Sequence, residues 1–200
     1  MANDPLEETS QHFGAPRHGY GPVADGEMVA LALFSAQSRA GQNLVDTDFI
    51  DDQLKRNDQS LSRVKWTSGA AFHRYVVVTR AGQVRPVSGI ASARVIKLRE
   101  LRFKVPNSNP VMSGAALCVI DRVEAGDHDG HAALGYAADM QALTPNQKKK
   151  TRPLVRAEAA RQFSTIVDST LFSWEPPLAL LMRQVWWELR KWLYPRRSSP

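Results

Sequence analysis

The alternation of apolar and polar positions along the chain predicts strands first and helices last. Pro5, Gly14, Pro16, Gly19, Gly21 and Pro22 punctuate residues 1–22, where aliphatic side chains are few, and a flexible arm is expected there. After the turn signal Asp25-Gly26, the apolar run from Met28 to Phe34 has the length of a strand. Asp46 or Thr47 can cap a short helix with Phe49, Ile50, Gln53 and Leu54 on one face and Asp51 and Asp52 in its first turns. Ser60-Leu61-Ser62-Arg63 reads as a polar junction. From Thr67 to Thr79 the pattern begins helix-like around Phe72 and Tyr75 and ends in Val76-Val77-Val78-Thr79, which favours a strand.

Residues 93–105 read as a strand with a bulge, because the alternation changes phase between Leu98 and Leu101. Ala115 to Val123 is apolar on both faces and predicts a strand central in its sheet. The loop Glu124 to Gly130 then leads to a second strand, His131 to Ala137, which makes an antiparallel hairpin natural. Thr144-Pro145 and Thr151-Arg152-Pro153 each set a cap before a proline, predicting two helices or one that is kinked. Val155, Ala159, Phe163, Ile166 and Val167 form the face expected to pack on the sheet.

The last stretch, Trp174 to Arg197, holds four of the five tryptophans and reads as a helix between Pro176-Pro177 and Pro195. Leu178, Leu181, Met182, Val185, Trp186, Leu189, Trp192 and Leu193 follow helical spacing. They fill a face roughly 140° wide. Leu180, Trp187 and Tyr194 make a second, narrow stripe on the opposite side, flanked by Arg183, Arg190, Gln184 and Lys191. The wide stripe can close the protein's own fold; the narrow one is expected to meet a protein partner or a second copy of the chain. A membrane surface, with the aromatic rings at headgroup level, is a lesser alternative. Together the elements predict an α+β fold: a small, mostly antiparallel sheet covered by C-terminal helices. The expected divisions are the arm 1–22, a core domain 23–172, and an amphipathic helix with a basic tail, 173–200.

Composition narrows this picture little. A chain of 200 residues, 43% hydrophobic and 23% charged, folds as one domain without staples. Its single cysteine, Cys118, excludes an internal disulfide and a cysteine-based zinc cage, and its apolar setting predicts a buried, inert thiol. No signal-like apolar segment opens the chain, and no run of about 18 uncharged apolar residues occurs. A cytoplasmic protein without cofactor or metal is the expectation.

Charge changes more. Residues 1–60 hold 4 Lys/Arg against 10 Asp/Glu, a net of −6, whereas residues 61–200 hold 22 against 10, a net of +12. Ten of those basic residues fall within 61–104, against Glu100 alone. Either an anionic partner meets this region or the acidic first third folds against it. Arg63, Lys65, Arg94, Lys97, Arg99 and Arg102, with Lys148, Lys149, Lys150 and Arg152 beside a predicted helix start, form the candidate footprint for nucleic acid or another anion.

Catalytic candidates are sparse. Asp127, His128 and His131 are the densest group of acid–base residues, and they suit proton transfer or, with a distant ligand, a transition metal. The same residues also satisfy the needs of a hairpin turn. Ser60, Ser62 and Arg63 could form an anion-binding or nucleophilic junction, yet no G-x-S-x-G elbow surrounds either serine and no base adjoins them in sequence. Walker, dinucleotide-binding and H-E-x-x-H motifs are absent. The leading expectation is a non-enzymatic interaction module, with an acid–base or metal-dependent enzyme as the alternative. Removing residues 174–200 is expected to leave a folded core and abolish assembly, which light scattering of the two forms would reveal.

Overall fold

A computed structural model describes residues 22–34, 37–67, 72, 87–122 and 130–168. The expected arm 1–22 apart from Pro22, the segment Tyr75 to Thr79, Asp127 and His128, and the tail with Leu180, Trp187 and Tyr194 lie outside the described residues. Among the described residues the strands are β1 (Met28–Phe34), β2 (Gln59–Arg63), β3 (Val87–Arg94), β4 (Arg102–Lys104), β5 (Ser113–Ala115), β6 (Leu117–Asp121) and β7 (His131–Tyr136). The helices are α1 (Asp51–Lys55), α2 (Val95–Arg99), α3 (Ala138–Gln141) and α4 (Pro145–Gln162). A five-stranded sheet runs β3-β1-β2-β7-β6, every pair antiparallel, and β4 and β5 form a second, two-stranded sheet. This is the expected α+β class.

The period-2 pleat gives the large sheet two unlike faces. Val29, Leu31, Leu33, Leu61, Leu134, Tyr136, Leu117 and Val119 point to the inner face, where they join Leu54, Leu98, Met140, Val155, Ala159 and Phe163 in one buried cluster. The outer face carries small and polar residues: Ala30, Ser62, Ser60, His131 and Ala133, with Ala30 and Ile90 buried beside Phe72. The Ser60–Arg63 stretch is therefore not a junction. Leu61 between two serines is a strand pattern, and β2 lies in the middle of the sheet.

Two further expectations need correction. Residues 95–99 are helix α2, not bulged strand, because Val95 and Leu98, three apart, are both buried on one helical face. The amides of Val95 and Ile96 donate to the carbonyls of Glu27 and Asp25, which turn the chain out of β3. The predicted central strand 115–123 is split at Ala116: β5 pairs with β4, and β6 pairs with β7 as an edge strand. It reads as apolar on both faces because the turn after α1 covers its outer side, bringing Asn57 Oδ1 to 3.9 Å from Cys118 Sγ. That turn is a Schellman motif, with Asp58 N–H donating to Gln53 C=O at 2.8 Å and Asn57 N–H to Leu54 C=O at 3.2 Å. Asn57 takes φ +52°, which asparagine tolerates better than most residues.

Helix α4 is one element rather than two. Thr144 and Gln147 form a capping box at its start, Pro145 occupies the first turn, and Pro153 is accommodated inside it. The helix stops at Gln162, so Ile166 and Val167 do not continue its face. Instead, Val167 forms a two-way backbone bridge with Ile90 on β3, both hydrogen bonds 2.9 Å long, and Ser164 N–H donates to Ser92 C=O at 2.8 Å. Gly89 permits this closeness, because a Cβ there would collide with Ile166 Cγ2 and lie 2.9 Å from Val167 O. Gly89→Val is expected to cost about 2 kcal/mol by overpacking. Hydrogen exchange should show faster exchange of the Ile90 amide in that variant.

Candidate functional site

Three polar constellations stand out among the described residues, and the first is structural. Arg63 enters the inner face of β2 and is 1% exposed. A buried guanidinium needs carboxylates, and Glu27 supplies both oxygens, to Nε at 2.9 Å and to Nη2 at 2.7 Å. Asp121, across the sheet on β6, adds one longer contact to Nη1 at 3.2 Å. One cation thus serves two carboxylates unequally. Burial raises Glu27, but the Arg63 hydrogen bond and charge outweigh it and hold its carboxyl below the usual range. Burial pushes Asp121 up, since Arg63 offsets only part of the cost and Glu27 adds like-charge repulsion. Arg63 therefore leaves the expected anion footprint: its guanidinium is committed inside the protein.

The second constellation lies on the opposite face. Ser62 pairs with His131 across β2 and β7, which brings Ser60, two residues along, onto the same face. Ser60 Oγ lies 2.9 Å from His131 Nε2. The other ring nitrogen, Nδ1, contacts the carbonyl of Arg122. A carbonyl only accepts, so Nδ1 carries the hydrogen, and in the neutral ring Nε2 is left to accept from the Ser60 hydroxyl. Arg122 is anchored in turn, its Nη1 2.8 Å from Asn57 O and 3.3 Å from Asp58. Two residues 71 positions apart thus supply the base that the sequence around Ser60 lacks.

The third constellation is a groove of about 470 Å³ along the first half of α4. Lys148, Lys149, Arg152 and Arg156 line it with Pro145, Pro153 and Asp51. Their spacing of one, three and four residues places the cations on one side of the helix. Asp51, at the start of α1, is the common counter-charge of Arg152 and Arg156. It lies 3.4 Å from Arg152 and 3.8 Å from Arg156, while Lys55 and the Tyr136 hydroxyl each approach to 2.8 Å. Burial raises Asp51, but hydrogen bonds from Lys55 and Tyr136 and the charge of Arg152 outweigh it and keep the carboxyl below its ordinary value. Burial and the bond to Asp51 push the Tyr136 hydroxyl far above the usual phenol range, so it remains a donor. Arg152 also lies over the Tyr136 ring, 5.3 Å from its centre. The Nε atoms of Arg152 and Arg156 are buried and have no hydrogen-bond partner among the described residues.

The remaining expected cations are scattered. Lys65 is exposed with its Nζ 4.8 Å from the Trp66 ring centre, and Arg94, Lys97, Arg102 and Lys150 are exposed on β3, α2, β4 and α4. Arg99 reaches Asp25 at 2.6 Å and the Val119 carbonyl at 2.8 Å. Asp127 and His128 lie outside the described residues, so His131 is placed with Ser60 and Arg122. No group of three or more His, Cys, Asp or Glu side chains suited to a metal occurs among the described residues. Cys118 is largely covered, and burial pushes its thiol up to about 11, which makes it a poor nucleophile. Sequence reasoning missed Arg156, Asp51 and Tyr136 as groove residues. A signal for Arg156 was present, since it follows Arg152 by one helical turn.

No family model matches the chain, and no curated protein or solved structure was found to match it. The geometry of the three constellations therefore carries the functional reading.

The ion triad yields a stability test. Glu27, depressed, contributes stability that is present above its ordinary value of 4.5 and lost as the pH falls through its folded value. Asp121, raised, has the opposite sign and takes up its proton first. Glu27→Gln is expected to cost about 3 kcal/mol because it removes the two-point partner of a buried charge. Asp121→Asn should cost only about 1 kcal/mol. Urea denaturation at neutral pH measures both, and the reverse order would contradict the unequal sharing.

Proposed function

We propose that this chain is an interaction module whose α4 groove grips the phosphate groups of a polyanion, with nucleic acid the foremost partner. The observation that supports it is the concentration of four cations against one carboxylate around a cavity of about 470 Å³. Asp51 and Tyr136 fix the two arginines before any partner arrives, which lowers the ordering cost of binding. Lys148 and Lys149 add charge at the groove's edge without a carboxylate partner among the described residues. A space of this size accommodates a short stretch of backbone, so the contact is expected to read charge more than base sequence. The narrow stripe Leu180, Trp187 and Tyr194 is proposed to supply the accompanying protein contact, to a partner or a second copy.

The test is fluorescence anisotropy of a short labelled oligonucleotide titrated with the full chain at ~50 mM salt and above. Replacing Lys148 and Lys149 together by Gln is expected to weaken binding at least about tenfold and to reduce the salt slope by about two. The melting temperature should stay unchanged, since neither lysine is buried. Equal affinity of both proteins, or affinity indifferent to salt, would contradict the reading.

A further inference from the structure

We propose that Ser60 is a serine nucleophile with His131 as its general base, on a site that accepts carboxylic esters. This does not rest on the groove. His131 and Tyr136 are five residues apart on β7, so the pleat sends them to opposite faces of the sheet. Four observations converge on Ser60. Its hydroxyl oxygen is 2.9 Å from His131 Nε2, within the range for proton transfer. The Arg122 carbonyl holds the ring by Nδ1, so the nitrogen facing Ser60 is the one with the lone pair in the neutral ring. Arg122 is itself tied to the Asn57–Asp58 turn, so the acceptor that orients the ring is fixed. Finally, Ser60 is the one exposed residue of β2; Gln59, Leu61, Ser62 and Arg63 are all buried. Its cross-strand neighbour Ala133 is also buried, as is Ile120 on β6. Ser60 is therefore an exposed residue beside buried cross-strand neighbours, and its hydroxyl is within reach of a small electrophile.

The chemistry follows from that arrangement. Ser60 Oγ attacks the ester carbonyl carbon while its proton passes to His131 Nε2. An acyl–oxygen bond forms at Ser60, the ester's own bond to its alkoxy oxygen breaks, and the departing alcohol takes the proton from Nε2. Water then gives a proton to Nε2 as its oxygen attacks the acyl group. The bond to Ser60 breaks, the proton returns to Oγ, and the carboxylic acid leaves. Arg122 acts through His131 and is a positioning residue.

A fluorophosphonate probe reports the first step alone. Ser60 Oγ forms a bond to phosphorus, the phosphorus–fluorine bond breaks, fluoride departs and the proton goes to His131. The full chain, incubated with this probe at pH 8, is expected to gain one adduct that peptide mapping places on Ser60. Ser60→Ala should lose that adduct while keeping the native circular dichroism spectrum. His131→Gln should label at least about a hundredfold more slowly, because the amide offers no base. Hydrolysis of a nitrophenyl acetate ester should fall in the same two variants. An unlabelled Ser60 in the folded wild type, an adduct only on another residue, or equal labelling rates with and without His131 would each overturn the assignment.

Discussion

A single guanidinium placed where no charge is comfortable organises this fold. Arg63 stands at the end of the central strand β2, and its burial obliges the chain to bring carboxylates to it from two directions. Glu27 arrives from the entrance to β1 and Asp121 from the far edge strand β6. Three strands that are distant in sequence are thereby held in one register, because a slip by one residue would carry Arg63 to the other face and leave its partners behind. The apolar cluster of the inner face gives the fold most of its stabilisation, and the same slip would turn its strand side chains outward as well. The ion triad adds to this the cost of leaving a buried charge without its partners.

The same principle operates on a larger scale. The sequence separates an acidic first third from a basic remainder, and the structure folds one onto the other. Asp25 meets Arg99, Glu27 meets Arg63, Asp58 meets Arg122, and Asp46 and Asp51 meet Arg156 and Arg152. Of the central region's cations, Arg63 and Arg99 are consumed internally in this way. Lys65, Arg94, Lys97 and Arg102 stay exposed and scattered, while on α4 Lys148 and Lys149 stand beside Arg152 and Arg156 along one groove.

The sequence made the class of the fold legible through local signals. The β1 run, the cap of α4 and the β6–β7 hairpin all depend on residues near one another, and each is where the pattern places it, whereas α1 starts at Asp51 behind Ile50 and not at the expected cap Asp46 or Thr47. What failed depended on distance. The two halves of the 115–123 run separate at Ala116 because they serve different sheets, and no local feature distinguishes them. Helix α2 imitates a bulged strand because five residues give little room to tell one period from another. The site shows the same division. Lys148, Lys149 and Arg152 were visible as a charge run, whereas Asp51 and Tyr136 enter only through packing. Ser60 and His131 were each visible singly, but their partnership requires the β2–β7 register.

The strand that closes the sheet on its other side carries a different implication. β3 would offer an open edge, the sort of surface on which sheets join one another, but Ser164 and Val167 occupy it after α4 ends. Ile166 is meanwhile clasped by the Gly41–Gln42 loop, its amide donating to Gln42 O and its carbonyl accepting from Gly41, both at 2.9 Å. The chain beyond Asp168 consequently starts from a clamped point on the rim rather than from a loose end. A load applied to that tail would reach the sheet first as shear along the Ile90–Val167 bonds, so the tail and β3 are mechanically in series.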